Sequence, residues 1–245
     1  MSYAAAGWPV IPLKPREKTP LTAHGLNDAS DDPETVERWW GRWPDANVGL
    51  RTGIIFDVLD IDGPDGVASL TAHVPGYTHD GPVSRTGRGY HLLFAVTGAG
   101  NGQKMLPGID FRGRQGYIVA PPSIHPLGHR YTWTKDRPAF TKLPEPTEWL
   151  LDLIMPQPKP ATPLRRRTTR VIDVAIAQLD LEQELHALDT TFKRIGNRRL
   201  GACPFHNDDT PSLNIYPNET FFCFGCGAWG DALNVRNYAI DGRLR

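Results

Sequence analysis

The sequence predicts an α+β protein built from two domains, and three observations support this prediction. The chain of 245 residues contains 23 prolines and 24 glycines, which favours many short helices and strands joined by tight turns. A segment rich in proline and arginine at 156–170 is typical of an extended linker. Beyond it, three cysteines and a histidine have the spacing of a zinc site. The expected organisation is therefore a larger domain at 1–155, a linker at 156–170 and a small zinc-ribbon domain at 171–245.

The composition sets limits on the class of protein. Hydrophobic residues make up 40% of the chain, as in globular proteins with a core, and 27 basic residues balance 27 acidic ones. The net charge therefore neither favours nor opposes a nucleic-acid partner. No apolar run approaches the roughly 18 residues of a membrane span, and the N-terminus lacks the pattern of a signal peptide. With a thiolate metal site, the expected location is a reducing cytoplasm without a membrane partner.

In the first domain, short strands alternate with helices. Asp32 is the expected N-cap of a helix whose first turn holds Pro33. Trp39, Trp40 and Trp43 recur on this helix at mostly helical spacing, which favours packing in the core. The other expected elements are strands at 7–13, 48–53, 54–62, 90–96 and 116–120, and a closing helix at 148–155 with Thr147 as N-cap.

The second domain is expected to combine two helices with a β-hairpin. The predicted elements are a helix at 171–188, a strand leading into Cys203, a hairpin formed by 212–216 and 220–223 across 217–219, and a closing helix at 231–240.

Cys203-Pro-Phe-His206 and Cys223-Phe-Gly-Cys226 form two ligand pairs, each with two intervening residues. This spacing lets both side chains of a pair turn toward one ion, and three thiolates with one imidazole complete a tetrahedral zinc shell. Every cysteine of the chain falls in the pattern. The alternative, a disulfide with one free thiol, leaves His206 unexplained and requires an oxidising compartment.

Asp60 and Asp62 end an apolar run and precede Gly63-Pro-Asp-Gly66. In an extended chain, residues i and i+2 project to the same face, so both carboxylates would point together from the end of a strand. Two convergent carboxylates suit Mg²⁺, which takes oxygen ligands. Acidic residues after a strand are also common in turns, so the pair alone is a weak signal. Asp57 has an odd offset from Asp60 and is expected on the opposite face.

His91 and Asp110 are further candidates. The glycines of Gly87-Arg88-Gly89 permit close approach of a ligand, and Arg85 and Arg88 add positive charge, which suits a triphosphate. The alternative for His91 is a half-buried structural histidine. Asp110 follows an apolar residue and could supply a third carboxylate, with a turn residue as the alternative.

Together these motifs resemble the Prim-Pol branch of the archaeo-eukaryotic primase superfamily, the bifunctional DNA primase/polymerases. The resemblance spans residues 5–154. Its matching segments are Gly7-Trp-Pro-Val10, Lys18-Thr-Pro-Leu21, Ala29 to Asp32, Asn47-Val-Gly49, Thr52-Gly53, Leu59-Asp-Ile-Asp62, Gly89-Tyr-His91, Ile109-Asp110, and 116–123.

The resemblance implies a primase-like mixed sheet of RRM type, with Asp60, Asp62 and Asp110 binding catalytic Mg²⁺ or Mn²⁺. It also implies that His91 contacts the phosphates of the incoming nucleotide, and we expect Arg85 or Arg88 to assist. The second family motif is often Ser-x-His. In this chain Gly89 stands at the serine position; either Ser84 or Thr86, which are close in sequence, supplies a hydroxyl, or none is needed.

Residues 171–240 resemble the zinc-binding domain of bacterial-type replicative primases, which helps to recognise single-stranded template. The matching segments are the two ligand pairs, Thr210-Pro-Ser212, 222–227 and Gly230-Asp231. Most of the aromatic residues near the ligands are expected in the core, and any exposed ring could stack on template bases. These aromatic residues are Phe205, Phe221, Phe222, Phe224 and Trp229. The basic residues expected to make this region suited to phosphate binding are Arg165 to Arg167, Arg170, Lys193, Arg194, Arg198 and Arg199. For the first four, a solvated linker is the alternative.

The expected function is two-metal nucleotidyl transfer from nucleoside triphosphates on a single-stranded DNA template. Two alternatives remain at this point: a catalytically silent accessory that binds single-stranded DNA, and a metal-dependent nuclease that uses the same carboxylates. The chain contains no Gly-x4-Gly-Lys-Ser/Thr motif, so a separate replicative helicase is the expected partner at a fork.

Overall fold

The computed structural model describes residues 2–134, 143–154, 179–195, 198–209 and 211–242. The chain divides into two compact units, Met1–Trp149 and Leu150–Arg245. Helices and strands occur in both units, which confirms the α+β class. The predicted linker at 156–170 lies outside the described residues. Within the described ranges, no helix combines the length and apolar character needed to cross a bilayer.

The first unit contains two β-sheets and flanking helices. Its elements are α1 (Ser2–Ala5), β1 (Val10–Leu13), a 3-10 turn (Gly25–Asp28), α2 (Pro33–Arg42), β2 (Asn47–Arg51), β3 (Phe56–Ile61), α3 (Gly63–His73), β4 (Val83–Arg85), β5 (Tyr90–Ala95), β6 (Gly102–Leu106), β7 (Ile109–Arg112), β8 (Tyr117–Ala120), β9 (Thr132–Trp133) and the start of α4 (Glu148–Ile154).

The small sheet has the strand order β1-β2-β8, and the large sheet has the order β6-β7-β3-β5-β4-β9, with antiparallel pairing between these strands. Strand β3 lies inside the large sheet because its apolar run is buried on both faces. Asp60 is its one position that is not fully buried. The main core packs Trp8 against Phe56, with ring centroids 4.5 Å apart, together with Val36, Leu50 and Leu93.

Helix α2 covers this core as the sequence predicts. The Asp32 side chain accepts hydrogen bonds from the backbone N–H (3.0 Å) and hydroxyl (2.6 Å) of Thr35, which confirms the predicted N-cap. Trp39 and Trp40 pack on the core. The predicted N-cap of α4 is wrong, since the Thr147 hydroxyl is buried without a hydrogen-bond partner.

The second unit is a five-stranded antiparallel sheet with two further helices. The elements are α5 (Leu181–His186), β10 (Phe192–Ile195), β11 (Arg198–Gly201), β12 (Leu213–Ile215), β13 (Phe221–Cys223), β14 (Trp229–Gly230) and α6 (Ala232–Asp241), and the strands follow one another in sheet order. The predicted hairpin and closing helix are confirmed. Helix α5 starts at Leu181 because Asp180 caps it through Gln183 N (2.9 Å), and residues 171–178 of the predicted helix lie outside the described part.

The buried Asp57 carboxyl makes the stability of the first unit depend on pH. Asp57 lies on the buried face of β3, where burial raises the pKa of its carboxyl to about 7, although Thr97 donates two hydrogen bonds to it that act in the opposite direction. The folded unit therefore holds a proton that the unfolded chain loses above about pH 4. The stability linked to this proton is complete at low pH and is lost as the pH rises through about 7.

We expect Asp57→Asn to remove this pH dependence, which amounts to a few kcal/mol at most. Urea unfolding at about pH 5 and about pH 8, followed by tryptophan fluorescence, measures the difference. A variant that loses as much stability as the wild type over this range would contradict the role given to Asp57.

Candidate active site and zinc centre

The register of the large sheet places three of the predicted site residues in one row. Asp60 on β3 lies directly opposite His91 on β5 and directly opposite Asp110 on β7. Directly opposite residues of antiparallel strands project to the same face. Ser84 on β4 lies opposite His91 and extends the row. Strand pairing therefore places Asp110 beside Asp60, on a strand, β7, that the sequence did not predict.

Asp62 lies one residue beyond β3 in extended backbone, so its side chain shares the face of Asp60. It occupies the N-cap position of α3 but makes no capping hydrogen bond. Aspartate at an N-cap normally accepts a backbone N–H, and the bond contributes about 1 kcal/mol to stability. The exposed Asp62 carboxylate is thus left available for a ligand.

A close contact between two turns positions Asp62 relative to β7. The Asp62 N–H donates to the Gly108 carbonyl at 2.8 Å. Gly108 has a φ of +67° and its Cα faces the first turn of α3 at Gly66, where an added Cβ would overlap backbone atoms. The turn that precedes Asp110 is therefore held against the end of β3.

The negative charge of the largely buried Asp60 carboxylate is only partly balanced by nearby positive charges. The Asp60 side chain is 13% exposed, its Oδ1 lies 3.4 Å from His91 Nε2, and its Oδ2 lies 3.5 Å from Arg112 Nη2. Burial raises the pKa of Asp60, and the positive charges of Arg112 and Lys18 only partly oppose this effect. The site therefore favours an additional cation beside Asp60.

Arg112 is a site residue that the sequence reasoning missed. Its Nη2 donates to Asp110 Oδ2 at 2.8 Å and lies between the carboxylates of Asp110 and Asp60. The second oxygen of Asp110 accepts the Lys104 N–H at 2.7 Å. The signal in the sequence was the i, i+2 spacing from Asp110, which places Arg112 on the same face of β7.

The donor set fits a divalent cation with oxygen ligands. Asp60, Asp62 and Asp110 present carboxylates on one face of the sheet, as Mg²⁺ or Mn²⁺ requires. Arg112 occupies the space between two of them. Among the described residues, only the cysteine and histidine set described below has all its ligand atoms within 4.8 Å of one another.

His91 is buried and neutral. Burial, with help from Lys18 and Arg112, lowers its pKa to about 3. Its Nδ1 lies 3.2 Å from the Ser84 hydroxyl and its Nε2 faces Asp60. Strand pairing therefore places the Ser84 hydroxyl beside His91, although Ser84 lies seven residues earlier in the chain. No side chain fits at Gly89, because a Cβ there would overlap the Ile61 carbonyl oxygen.

A cleft of about 230 Å³ adjoins Asp60 and His91. Lys18 and Arg112 supply positive charge to its wall, and the Tyr117 hydroxyl holds the Lys18 carbonyl at 2.8 Å. The other residues in the wall are Asn101, Gln115, Gly116, Ile118, Val119 and Tyr131. We call this space the lysine cleft; its charge and polar lining suit a phosphate group.

Arg85 and Arg88 do not line the lysine cleft. Arg85 follows Ser84 on β4, so alternation points it away from His91. Both arginines line a second cleft of about 410 Å³ together with Arg130. The structure thus brings His91 to the carboxylates but separates it from the two arginines predicted to act with it.

The zinc ligands of the second unit converge. Cys203 Sγ lies 3.9 Å from Cys226 Sγ, and Cys223 Sγ lies 3.9 Å from His206 Nδ1. Zinc–sulfur bonds of about 2.3 Å require sulfurs about 3.8 Å apart at the edge of a tetrahedron. The cluster therefore has the dimensions of a structural zinc site.

Polar groups around the ligands support the same interpretation. The hydrogen bond with Cys203 lowers the pKa of Cys223 to about 5 and raises that of Cys203, and the Ser212 hydroxyl (3.2 Å) further stabilises the Cys223 thiolate. Asp208, which the sequence reasoning missed, lies 3.6 Å from His206 Nε2 and accepts the Cys203 N–H at 2.7 Å. It orients ligands on both sides of the site.

The aromatic residues divide between the core and the surface. Phe221 is buried and Phe205 packs against it, as expected. Trp229, opposite Phe222 on the neighbouring strand, is 60% exposed, and Phe222 stacks edge to face with Phe224 at 4.9 Å. Phe222 and Phe224 are half-buried, so Trp229 alone of the five rings lies mostly in solvent, because the outer face of β13 and β14 is left partly uncovered.

Two of the predicted phosphate contacts have structural partners instead. Arg198 is 4% exposed, donates to Asp152 at 2.6 Å and stacks on Tyr216. Arg199 pairs with Glu182 at 3.0 Å and Glu219 at 3.5 Å. The predicted role of Arg198 in binding phosphate is therefore wrong, since burial removes it from solvent. Arg165 to Arg167 and Arg170 lie outside the described residues.

Comparisons with known proteins agree with this division of the chain. The family described as "Bifunctional DNA primase/polymerase, N-terminal" (Prim-Pol) matches residues 1–149, and the family described as "CHC2 zinc finger" matches residues 168–239. The first match covers more than half of the 245 residues.

Individual relatives match over short stretches. The DNA primase of Legionella pneumophila is 48% identical over 52 residues, which is 20% of this chain and 9% of that protein. The DNA primase of Aquifex aeolicus is 39% identical over 69 residues (28% and 12%), and that of Geobacillus stearothermophilus is 51% identical over 41 residues (16% and 7%). The chain thus spans about a tenth of the length of these relatives.

One conclusion follows from the row of Asp110, Asp60 and His91 on the large sheet, from the zinc cluster and from the two family matches. The chain belongs to the Prim-Pol family of bifunctional DNA primase/polymerases and carries a CHC2 zinc finger after its Prim-Pol domain.

Proposed function

We propose that this protein is a DNA primase/polymerase that starts primers de novo on single-stranded DNA and extends them. The observation that carries the proposal is the row formed by Asp110, Asp60 and His91, with Asp62 on the same face. The substrates are nucleoside triphosphates and a single-stranded DNA template, and a separate helicase is the proposed partner at a fork. The three carboxylates hold Mg²⁺ or Mn²⁺, and the cysteine and histidine cluster holds zinc.

Each residue has a defined task in the proposed mechanism. Asp60, Asp62 and Asp110 would hold divalent cations, which would supply activation of the attacking hydroxyl and stabilisation of the leaving pyrophosphate. Burial keeps His91 neutral, and the Ser84 hydroxyl at its Nδ1 fixes the ring beside the carboxylates, where it can contact the phosphates of the incoming nucleotide. Lys18 and Arg112 attract the triphosphate into the lysine cleft.

Arg112 connects cation binding to nucleotide binding in this scheme. Its guanidinium lies between Asp60 and Asp110, where it competes with a divalent cation. We expect Arg112→Met to tighten Mn²⁺ binding to the nucleotide-free protein about fivefold, the equivalent of about 1 kcal/mol for a partly exposed ion pair. The same change should weaken nucleotide binding. Mn²⁺ titration by electron paramagnetic resonance and a fluorescent nucleotide measure the two affinities.

Arg112→Lys keeps the charge but not the fork geometry, so it serves as the matched control. Weaker Mn²⁺ binding by Arg112→Met would contradict the competition and indicate that Arg112 mainly orients the carboxylates.

The zinc finger is the proposed template holder. Its exposed Trp229 ring, beside the half-buried Phe222 and Phe224, suits stacking on unpaired bases, which contributes about 1–3 kcal/mol per base in other proteins. Holding the template is most important in the first step, because no primer duplex is present to stabilise the complex.

Incubation with circular single-stranded DNA, nucleotides and Mg²⁺ or Mn²⁺ tests the proposal. New oligonucleotides with a 5′-triphosphate support de novo priming. DNA binding without product would favour the silent accessory, and a cleaved template would favour the nuclease. The row of His91 beside the carboxylates favours the polymerase over both alternatives.

A further inference from the structure

The second cleft of the first unit, which we call the arginine cleft, lies at the turn between β4 and β5. Three exposed arginines line it together with Tyr90, His129 and the turn residues 86, 87 and 89; they are Arg85, Arg88 and Arg130. No acidic residue is among the described residues of its wall. Within the described ranges of the chain, none of the three arginines forms an ion pair with a carboxylate. Guanidinium groups in this situation favour an anionic ligand.

The arginine cleft belongs to the face of the large sheet that is turned away from the carboxylates. The row of Asp60, His91 and Ser84 faces the lysine cleft, and Arg85 pairs with Tyr90 in the next row along β4 and β5. Successive residues of a strand point to opposite faces, so Arg85 and Tyr90 project to the reverse side of the sheet. A phosphate bound by Arg85 is therefore a different group from a phosphate bound in the lysine cleft.

The turn between β4 and β5 uses its backbone N–H groups internally. The Thr86 N–H donates to the Gly89 carbonyl (2.9 Å), and the Thr86 hydroxyl accepts the N–H groups of Arg88 (3.3 Å) and Gly89 (2.9 Å). Loops that cradle the phosphates of a nucleotide present free backbone N–H groups to their ligand. At residues 86, 88 and 89 this turn offers none, so an anion in the arginine cleft is bound by side chains.

Packing fixes the turn that carries Arg88. The His125 ring lies against Gly87, where an added Cβ would be 3.0 Å from His125 Cγ, and Gly89 packs on the Ile61 carbonyl, where a Cβ would overlap the oxygen. On the other side of the cleft, Arg130 donates to the Pro122 carbonyl at 3.2 Å. The backbone of the cleft is therefore set before a ligand binds, which lowers the entropy cost of binding.

Two ligands of the proposed function carry phosphate: a DNA strand and a free nucleoside triphosphate. Proteins hold the backbone of a strand with exposed arginine and lysine side chains, independently of its sequence, and the three arginines of the cleft are exposed. Tyr90 adds a half-buried aromatic ring to the wall, and such rings stack on unpaired bases. A triphosphate would lack the backbone N–H cradle described above. The cleft therefore fits a single strand better than a free nucleotide.

We propose that the arginine cleft binds the phosphodiester backbone of single-stranded DNA. The inference rests on the proposed function for the identity of the ligand, and it adds a template contact in the first unit to the one proposed for the zinc finger. It gives Arg85 and Arg88 a ligand different from the incoming triphosphate that the sequence predicts for them. Arg130 joins them through the fold, since nothing in the sequence relates it to the β4–β5 turn.

The test measures binding of a fluorescent oligothymidylate to the full chain at several salt concentrations, without nucleotide, Mg²⁺ or Mn²⁺. Each phosphate contact contributes about 0.7 to the slope of log affinity against log salt concentration for a single strand, so Arg85→Gln/Arg88→Gln should make the slope shallower by about 1.4. Arg85→Lys/Arg88→Lys should keep the wild-type slope. Arg38→Gln/Arg42→Gln removes the same charge from two exposed positions of α2 and should also keep it.

Titration of the same variants with a fluorescent nucleoside triphosphate distinguishes the two sources of phosphate. The Kd for this nucleotide should stay unchanged in Arg85→Gln/Arg88→Gln. Weaker nucleotide binding with an unchanged salt slope for DNA would assign the cleft to a free nucleotide and overturn the inference, as would equal slopes in the two glutamine variants. Neither measurement depends on turnover, so an inactive wild type whose salt slope still responds to Arg85→Gln/Arg88→Gln would remove the proposed function but retain the DNA contact.

Discussion

Asp60→Asn is expected to reduce nucleotide incorporation by about a thousandfold or more, because the central carboxylate of the metal site loses its charge while its shape is kept. Thermal stability should stay the same or rise. Burial disfavours the charged form of Asp60 in the folded protein, so removal of the charge relieves that cost. Primer-extension rates and melting temperatures measure the two effects.

Asp65→Asn is the matched control for this experiment. Asp65 is exposed in the first turn of α3, so the same change of charge a short distance away should leave incorporation near the wild-type rate. Loss of both activity and stability in Asp60→Asn would indicate a structural role for the carboxylate instead of a catalytic one.

Cys223→Ser is expected to release zinc and unfold the zinc finger while the first unit remains folded. The buried core of the second unit is small, and Cys203 and Cys223 are themselves part of it. In zinc-finger peptides the metal contributes about 10–16 kcal/mol, more than such a core supplies alone. Zinc content by mass spectrometry and hydrogen exchange by peptide measure the outcome, with increased exchange across 198–242 and little change across 47–120.

The same variant separates the two activities that we propose. Primer extension should continue, and de novo priming should be lost, because only the first step lacks a primer duplex. Asp209→Asn, an exposed neighbour of the site, controls for general effects of substitution in this segment. Undiminished de novo priming by the zinc-free variant would contradict the role of the zinc finger as template holder.

The residues that could be predicted from sequence are those whose spacing determines their geometry. Cys203, His206, Cys223 and Cys226 converge because two short ligand pairs on a hairpin can face only one point. Asp60 and Asp62 share a face because an extended chain alternates.

The remaining site residues depend on long-range pairing, which spacing does not reveal. Arg112 reaches Asp60 only through the β3–β7 register, and Ser84 reaches His91 only through the β4–β5 register. Arg198 was misassigned because its burial comes from Tyr216 and Asp152, which are distant in sequence. The exposed face of Trp229 likewise follows from the absence of a covering layer among the described residues of the second unit.

The most direct test of the central claim is template-directed incorporation of a labelled nucleotide opposite a defined template base. The wild type should incorporate the complementary nucleotide in Mg²⁺ or Mn²⁺, follow a change of the template base, and lose the activity in Asp60→Asn/Asp62→Asn. Incorporation that ignores the template base, or that persists in the double variant, would contradict the claim that the carboxylates on this face carry out templated nucleotidyl transfer.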